Sequence, residues 1–183
     1  MEIAKNIYSN KVLKFIVIAF AGSALLTISA KIKIPFYPVP MTMQTFVVIL
    51  LGITFGYKVG AAAVGLYLIE GISGLPVFSN SPEKGVGLSY FIGPTMGYLI
   101  GFIFASVIAG YLKYNKNYIF NFFKILFSIS IIYLFGLLWL GTLIGWDKPI
   151  FELGLLPFLY AEMLKILLLT LIVNKVKNFR KFI

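Results

Sequence analysis

The chain contains neither cysteine nor histidine among its 183 residues, and only six residues are acidic. Without cysteine there is no disulfide, no thiol nucleophile and no thiolate metal ligand. Without histidine, the commonest general base and the commonest metal ligand are missing as well. No G-x-x-x-x-G-K-[ST] segment occurs, so the chain has no P-loop for ATP. We therefore expect no enzyme, no metal and no cofactor, and ATP hydrolysis, where transport needs it, belongs to another subunit.

Charged residues are scarce and apolar residues are abundant. The chain is 60% hydrophobic and 12% charged, and its mean hydropathy is +0.97. A typical soluble domain is about half apolar and about a quarter charged. A bilayer accommodates such a composition, and a helix needs about 20 mostly apolar residues to cross it. The composition predicts an all-α integral membrane protein with a single transmembrane domain over residues 1–183.

Six apolar stretches predict a compact bundle of six transmembrane helices. They cover residues 13–30, 42–55, 59–72, 90–112, 119–144 and 156–173. The second and third stretches are short and separated only by residues 56–58, so they are either two tilted spans or one broken pair. The first stretch is interpreted as a true span, because residues 28–30 lack the small-x-small pattern of a signal-peptide cleavage site.

The positions of the basic residues predict that both termini are cytoplasmic. In that orientation the inner side collects eleven cations, and the outer side collects four. The inner ones are Lys5, Lys11, Lys14, Lys58, Lys113, Lys116, Lys124, Lys175, Lys177, Arg180 and Lys181; the outer ones are Lys31, Lys33, Lys84 and Lys148. Only Lys165 remains within a span, and the positive-inside rule favours this arrangement. The net charge of +10 is then topological, and we expect no nucleic-acid binding.

Two charged residues fall within the sixth stretch. Glu162 and Lys165 are three residues apart and therefore share one helix face. At 1.5 Å per residue they lie roughly 9 Å and roughly 13–14 Å below the outer end of the helix. Ionisable groups at such a depth are costly and usually face a polar interior or a ligand. The alternative is mutual neutralisation, although a buried ion pair rarely repays its desolvation. We predict that both residues face a ligand.

Further polar and aromatic residues are expected on the same, outer side. The segment 35–40 is either a rigid connector or a lid, and Gln44 is either a ligand contact or a helix cap. The role of Glu70 is left open between ligand binding and solvation near the membrane surface. The fourth stretch begins in the outer half, so its positive N-terminal end favours an anion. The candidate substrate-binding residues are Glu162, Lys165, Gln44, Asn80, Thr95, Tyr98, Tyr37 and Glu70.

A stripe of small residues follows the first stretch at a spacing of four. Its members are Ala19, Ser23 and Thr27. Small residues allow two helices to approach closely in lipid. The stripe is therefore either a packing face inside the bundle or a docking face for another membrane protein.

Four ordered segments together resemble one known family. They are Val39-Pro40-Met41-Thr42-Met43-Gln44-Thr45, Gly74-Leu75-Pro76-Val77-Phe78, the run from Gly93-Pro94-Thr95 to Phe102, and Leu156-Pro157-Phe158 followed by Glu162-x-x-Lys165. In this order and at these separations they resemble the BioY family of biotin transporters. The similarity extends from about Ala19 to Leu169.

The resemblance implies a substrate-binding S component of an energy-coupling factor (ECF) transporter in the cytoplasmic membrane of a prokaryote. It implies six helices, capture of biotin from outside, and a partner module of one membrane coupling protein and two cytosolic ATPases. Some family members are thought to work without that module. The chain departs from the family where Tyr160-Ala161-Glu162 replaces Pro-Gly-Asp. This departure leaves room for a biotin-like compound or another water-soluble vitamin.

Biotin has two ureido N–H donors, a carbonyl acceptor and a carboxylate tail. We expect Glu162 to accept from the ureido N–H groups. Lys165 then either holds the ligand carboxylate or orients Glu162. The competing hypothesis of an intramembrane enzyme using Glu162 as acid and base has no second catalytic group beside it. A purely structural scaffold would have no use for the two charges.

Overall fold

A computed structural model describes residues 10–182. Lys5, one of the cations predicted to lie on the inner side, is outside this range. Helix α1 is followed by a short antiparallel hairpin, in which Lys33 pairs with Thr42, and then by seven further α-helices. The elements are α1 Lys11–Lys31, β1 Lys33–Ile34, β2 Met41–Thr42, α2 Gln44–Phe55, α3 Tyr57–Ile72, α4 Gly87–Phe91, α5 Met96–Tyr111, α6 Tyr118–Ile144, α7 Ile150–Gly154 and α8 Leu159–Val176, with 3-10 turns at Leu156–Phe158 and Lys177–Phe182. The described chain is thus mostly helical.

Two predicted stretches are not single α-helices. The stretch 90–112 is divided, because α4 ends at Phe91 and α5 begins at Met96. Pro94 lies in the break; it has no N–H to donate, and its ring disfavours helical backbone in the residue before it. The stretch 156–173 begins as a 3-10 turn with Pro157 in its first positions. The other four helices begin and end within two residues of the predicted bounds.

The helices have the length and composition of a membrane protein. Three described segments are long and apolar enough to cross a bilayer, namely Lys11–Lys31, Tyr118–Ile144 and Ile150–Arg180. Helices α2 and α5 are equally apolar but shorter. Large apolar side chains such as Leu164 and Leu171 face outward from α8. In water such a surface would favour aggregation, whereas lipid accommodates it.

Glycines bring α2, α3 and α5 into close contact. A Cβ at Gly52 of α2 would fall inside the contact distance of the Ser106 backbone oxygen in α5. A Cβ at Gly110 of α5 would similarly overlap the backbone of Tyr57 at the start of α3. In lipid, where helices gain no hydrophobic attraction from one another, such close approach supplies the packing energy. The three helices therefore form one closely packed unit, and the start of α2 lies at one end of it.

Substitution of alanine for Gly52 is expected to destabilise the protein by about 1–3 kcal/mol, because the new methyl group overpacks a backbone contact that cannot move aside. Thermal unfolding in detergent measures the change. Gly65→Ala in α3 is the matched control, since a Cβ there has no atom within 4 Å. The control is expected to retain or raise stability, because alanine is the better helix former. Equal melting temperatures for both variants would contradict this account of the packing.

The stripe of small residues on α1 faces the interior. Ala19 and Ser23 are buried and Thr27 is half-buried. Helix α1 packs against α3, where a Cβ at Gly22 would lie 2.7 Å from the Ala63 Cβ. The structure thus favours packing over docking for this stripe, because a partner could not reach residues already covered by α3.

Arg180 caps the C-terminal ends of two helices. The Arg180 guanidinium donates to the carbonyl oxygens of Ile53 in α2 and of Ala109 and Leu112 at the end of α5, with a distance of 2.6 Å to Ile53. The last carbonyls of a helix have no partner within the helix itself. Arg180 therefore fixes the chain after α8 against α2 and α5, and so helps to set the position of α8 along α2.

Candidate substrate-binding site

Glu162 and Lys165 form a buried ion pair near the N-terminal end of α8. The Lys165 Nζ lies 2.7 Å from the Glu162 Oε1, and each residue is only 5% exposed. Both side chains face the start of α2, where Thr45 is also buried. The prediction that the two charges share one helix face is therefore confirmed by their geometry.

All three N–H donors of Lys165 are used within the protein. Its Nζ donates to Glu162 Oε1, to the Thr42 carbonyl oxygen at 2.6 Å and to Thr45 Oγ1 at 3.0 Å. A lysine ammonium has only three donors. Of the two roles predicted for Lys165, the geometry favours orientation of Glu162, because no N–H remains for the carboxylate of a ligand.

The two oxygens of Glu162 have different surroundings. Oε1 accepts from Thr45 Oγ1 at 2.8 Å and from Lys165. Oε2 is buried and has no hydrogen-bond partner among the described residues. The Tyr133 hydroxyl interacts electrostatically with Glu162 without making a hydrogen bond of normal geometry to it. Because leaving a buried acceptor unsatisfied costs about 1–3 kcal/mol, Oε2 is the atom of this site that most needs an external donor.

A cavity lies against this carboxylate. It has about 530 Å³ of empty space, including its open mouth. Its walls come from the β1–β2 hairpin, the start of α2, the loop 73–86, α4, α5, α6, the turn before α8 and α8 itself. The lining residues are Val39, Pro40, Met41, Thr42, Gln44, Thr45, Phe78, Ser79, Tyr90, Thr95, Tyr98, Leu99, Phe102, Ile132, Tyr133, Phe158 and Glu162. An apolar cavity with a few polar groups is the usual form of a small-molecule site.

Four of the predicted site residues line the cavity, and Lys165 lies beside it through its bond to Glu162. The Gln44 Nε2 donates a hydrogen bond to the Tyr67 hydroxyl oxygen at 2.8 Å. The Tyr98 hydroxyl donates to the Gly154 carbonyl oxygen at 2.7 Å, so the ring of Tyr98 is the part left to face a ligand. Thr95 lines the wall and caps no backbone N–H with its side chain.

Three predicted residues do not line the cavity. Tyr37 is 83% exposed, with the Lys84 ammonium 5.7 Å from its ring centre. Glu70 accepts a hydrogen bond from Ser23 between α3 and α1. Asn80 lies next to the lining residue Ser79, and its Oδ1 accepts from Lys33 Nζ at 3.0 Å. Tyr37 and Glu70 are therefore separated from the cavity, and Asn80 lies at its edge.

Sequence reasoning missed several residues that build the site. Thr45 is not among the predicted substrate-binding residues, yet its hydroxyl joins Glu162 and Lys165. Tyr133 and Phe158 line the cavity with ring centroids 6.2 Å apart. The hydroxyl of Tyr133, in the middle of the long apolar helix α6, is the signal that would have identified it. Phe158 in an apolar run carries no such signal.

Two lysines, at the end of α1 and in β1, fasten the loop 73–86 over the cavity. Lys31 Nζ donates to the carbonyl oxygens of Phe78 and Ser81 at 2.7 and 2.6 Å. Lys33 Nζ donates to the Ser79 carbonyl oxygen at 2.7 Å. The Phe78 ring stacks on Tyr90 with centroids 5.2 Å apart. This loop is therefore held in place by charge-assisted hydrogen bonds and by aromatic packing.

Comparison with known proteins agrees with the motifs described above. The model of the BioY family matches residues 4–182. The chain is 37% identical over 142 residues to a probable biotin transporter BioY from Pyrococcus horikoshii, covering 78% of this chain and 83% of the relative. It is 35% identical over 157 residues to the biotin transporter BioY of Thermotoga maritima, covering 85% and 91%.

A solved structure shares the fold. A crystal structure of the S-component for biotin from an ECF-type ABC transporter superposes with a TM-score of 0.76, covering 92% of this chain and 93% of that one at 24% identity. Together with the family match, this likeness accounts for the order of the helices and for the motifs. The chain belongs to the BioY family.

Proposed function

We propose that the protein is the substrate-capturing S component of a biotin uptake system. It is a transporter subunit and not an enzyme, in agreement with the named activity of its relatives. The observation that carries the proposal is the free Oε2 of Glu162 on the wall of a largely apolar cavity. A ureido N–H is a donor of the required kind, and the aromatic lining suits the apolar thiophane ring.

The proposed arrangement in the membrane has six spans and cytoplasmic termini. It is supported by six described helices of at least 12 residues and by the excess of cations on the inner side. The cavity then opens outward. The cell is a prokaryote and the membrane its cytoplasmic membrane. The energising module is a separate coupling protein with two cytosolic ATPases, as membership of the family implies.

Binding to the purified protein tests the proposal. Radiolabelled biotin is expected to bind saturably to the protein in detergent, and biotin is expected to raise the melting temperature, because a ligand stabilises the state that binds it. Thiamine and riboflavin are expected to do neither. If another water-soluble vitamin binds while biotin does not, the chain is instead an S component for that compound.

Uptake in cells tests the need for an energising module. Biotin accumulation is measured in a strain lacking every coupling subunit, with and without this gene, and again after the coupling subunits are restored. We expect accumulation only when both are present. Accumulation from this gene alone would contradict the dependence on a separate module.

A further inference from the structure

A carboxylate at the end of the ligand needs a cation that Lys165 does not provide. The three N–H groups of Lys165 are already bonded to Glu162, Thr42 and Thr45. The Glu162 carboxylate would also repel a second anion placed beside it. The charged end of the ligand must therefore lie away from Glu162, toward another cation.

Two independent observations place Lys33 at the edge of the cavity. In the β1–β2 hairpin it is the direct partner of Thr42, which lines the cavity. Residues directly opposite in an antiparallel pair have their side chains on the same face. In addition, the Lys33 Nζ is 2.7 Å from the carbonyl oxygen of Ser79, another lining residue. Its ammonium group is thus placed at the opening between the hairpin and the loop 73–86.

Lys33 also has bonding capacity left. Its Nζ makes two hydrogen bonds, to Ser79 and to the Asn80 Oδ1, which leaves one of its three donors. Among residues 10–182 no carboxylate forms a salt bridge with it. The neighbouring Lys31 forms no salt bridge in this range either, but both of its hydrogen bonds go to backbone oxygens of Phe78 and Ser81 and it is not paired with a cavity-lining residue in the hairpin. Lys33 is therefore a half-buried cation without a carboxylate partner at the edge of the cavity.

We propose that Lys33 binds the carboxylate tail of the ligand. This inference rests on the proposed function and adds the position of the ligand's anionic end. The ligand then extends from its N–H donor at Glu162 Oε2 to its carboxylate at Lys33. Such an arrangement selects molecules with a donor at one end and an anion at the other. It also joins the ligand to the residue that fastens the loop 73–86.

Two ligands that differ only in charge test this assignment. Biotin and its uncharged methyl ester are compared for binding to the wild-type protein, Lys33→Gln, Lys33→Arg and Lys31→Gln. Lys33→Gln is expected to weaken biotin about tenfold more than it weakens the ester, as for loss of a hydrogen bond to a charged group, whereas the loss of its bonds to the loop 73–86 affects both ligands alike. Lys33→Arg is expected to retain the preference for biotin. Lys31→Gln is the matched control and is expected to change both ligands by the same factor.

The outcomes separate the possible roles. Equal weakening of biotin and ester in Lys33→Gln would mean that Lys33 only fastens the loop, and it would overturn the proposal. An unchanged affinity for both would overturn it too. If the wild-type protein binds neither compound, the proposed function itself fails, and the position of the carboxylate fails with it.

A second measurement uses the wild-type protein and does not depend on the folding of any variant. The N-hydroxysuccinimide ester of biotin places an acylating carbon where the carboxylate would be. An unprotonated lysine amine attacks that carbon and forms an amide bond, the acyl C–O bond breaks, and the N-oxysuccinimide anion leaves with the electron pair and takes up the proton lost by the amine. We expect peptide mass spectrometry to find the label on Lys33, with labelling suppressed by excess biotin. Biotin-protected labelling at Lys31, Lys84 or Lys165 instead of Lys33 would overturn the assignment.

Discussion

Replacement of Lys165 by methionine is expected to destabilise the protein by about 3–5 kcal/mol, because it leaves the Glu162 carboxylate buried without a counter-charge. Glu162 is 5% exposed, so its carboxylate is poorly solvated once the ammonium is removed. The change also removes the donor to the Thr42 carbonyl oxygen. Thermal or denaturant unfolding in detergent measures the loss, and biotin binding is expected to disappear with it.

Two further variants identify the cause. The double variant Glu162→Gln/Lys165→Met has no buried charge and is expected to recover most of the stability, since replacing a buried ion pair by uncharged groups is often neutral. Lys175→Met makes the same change at an exposed position of α8 and is expected to alter stability by less than about 0.5 kcal/mol. A single Lys165 variant as stable as the wild type would contradict the charged state assigned to the pair.

The sequence predicted those parts of the molecule that depend on local spacing or composition. The i, i+3 spacing alone placed Glu162 and Lys165 together. The apolar stretches predicted the helices within two residues wherever no proline interrupted them. The motif around Gln44 and Thr45 predicted that the start of the second helix contributes to the site, although it did not say through which atom.

Contacts between distant parts of the chain were not predictable. Thr45 and Glu162 are 117 positions apart, and a single sequence has no period or spacing that relates them. Lys165 bonds to Thr42 and Thr45 through the same contact between α8 and the start of α2. The sequence therefore left its role open, because it did not show that all three N–H donors of Lys165 are used within the protein. The orientation of the α1 stripe was equally undetermined, because small residues favour close packing whether the neighbour is α3 or another protein. Tyr37 was misplaced because an aromatic residue in a proline-rich loop can face either way.

Replacement of Glu162 by glutamine is expected to weaken biotin binding by about tenfold to a hundredfold, the loss of a hydrogen bond to a charged acceptor. The orientation of the new amide follows from its neighbours. Thr45 and Lys165 both donate to the Oε1 position, so the amide oxygen takes that position and the NH₂ group takes the place of Oε2. The variant then presents a donor where the ligand also has a donor.

The stability of Glu162→Gln distinguishes a loss of ligand binding from a general loss of structure. Lys165 retains an acceptor on the amide oxygen as well as its bonds to Thr42 and Thr45, so the melting temperature is expected to fall much less than in Lys165→Met.

Glu162→Asp keeps the charge but shortens the side chain by one methylene, and it is expected to bind biotin better than Glu162→Gln. Met163→Leu on the adjacent outward-facing position is the control and is expected to bind like the wild type. If Glu162→Gln folds and binds biotin with unchanged affinity, the free carboxylate oxygen is not the acceptor for the ligand, because an amide held by these two donors has no acceptor left to offer.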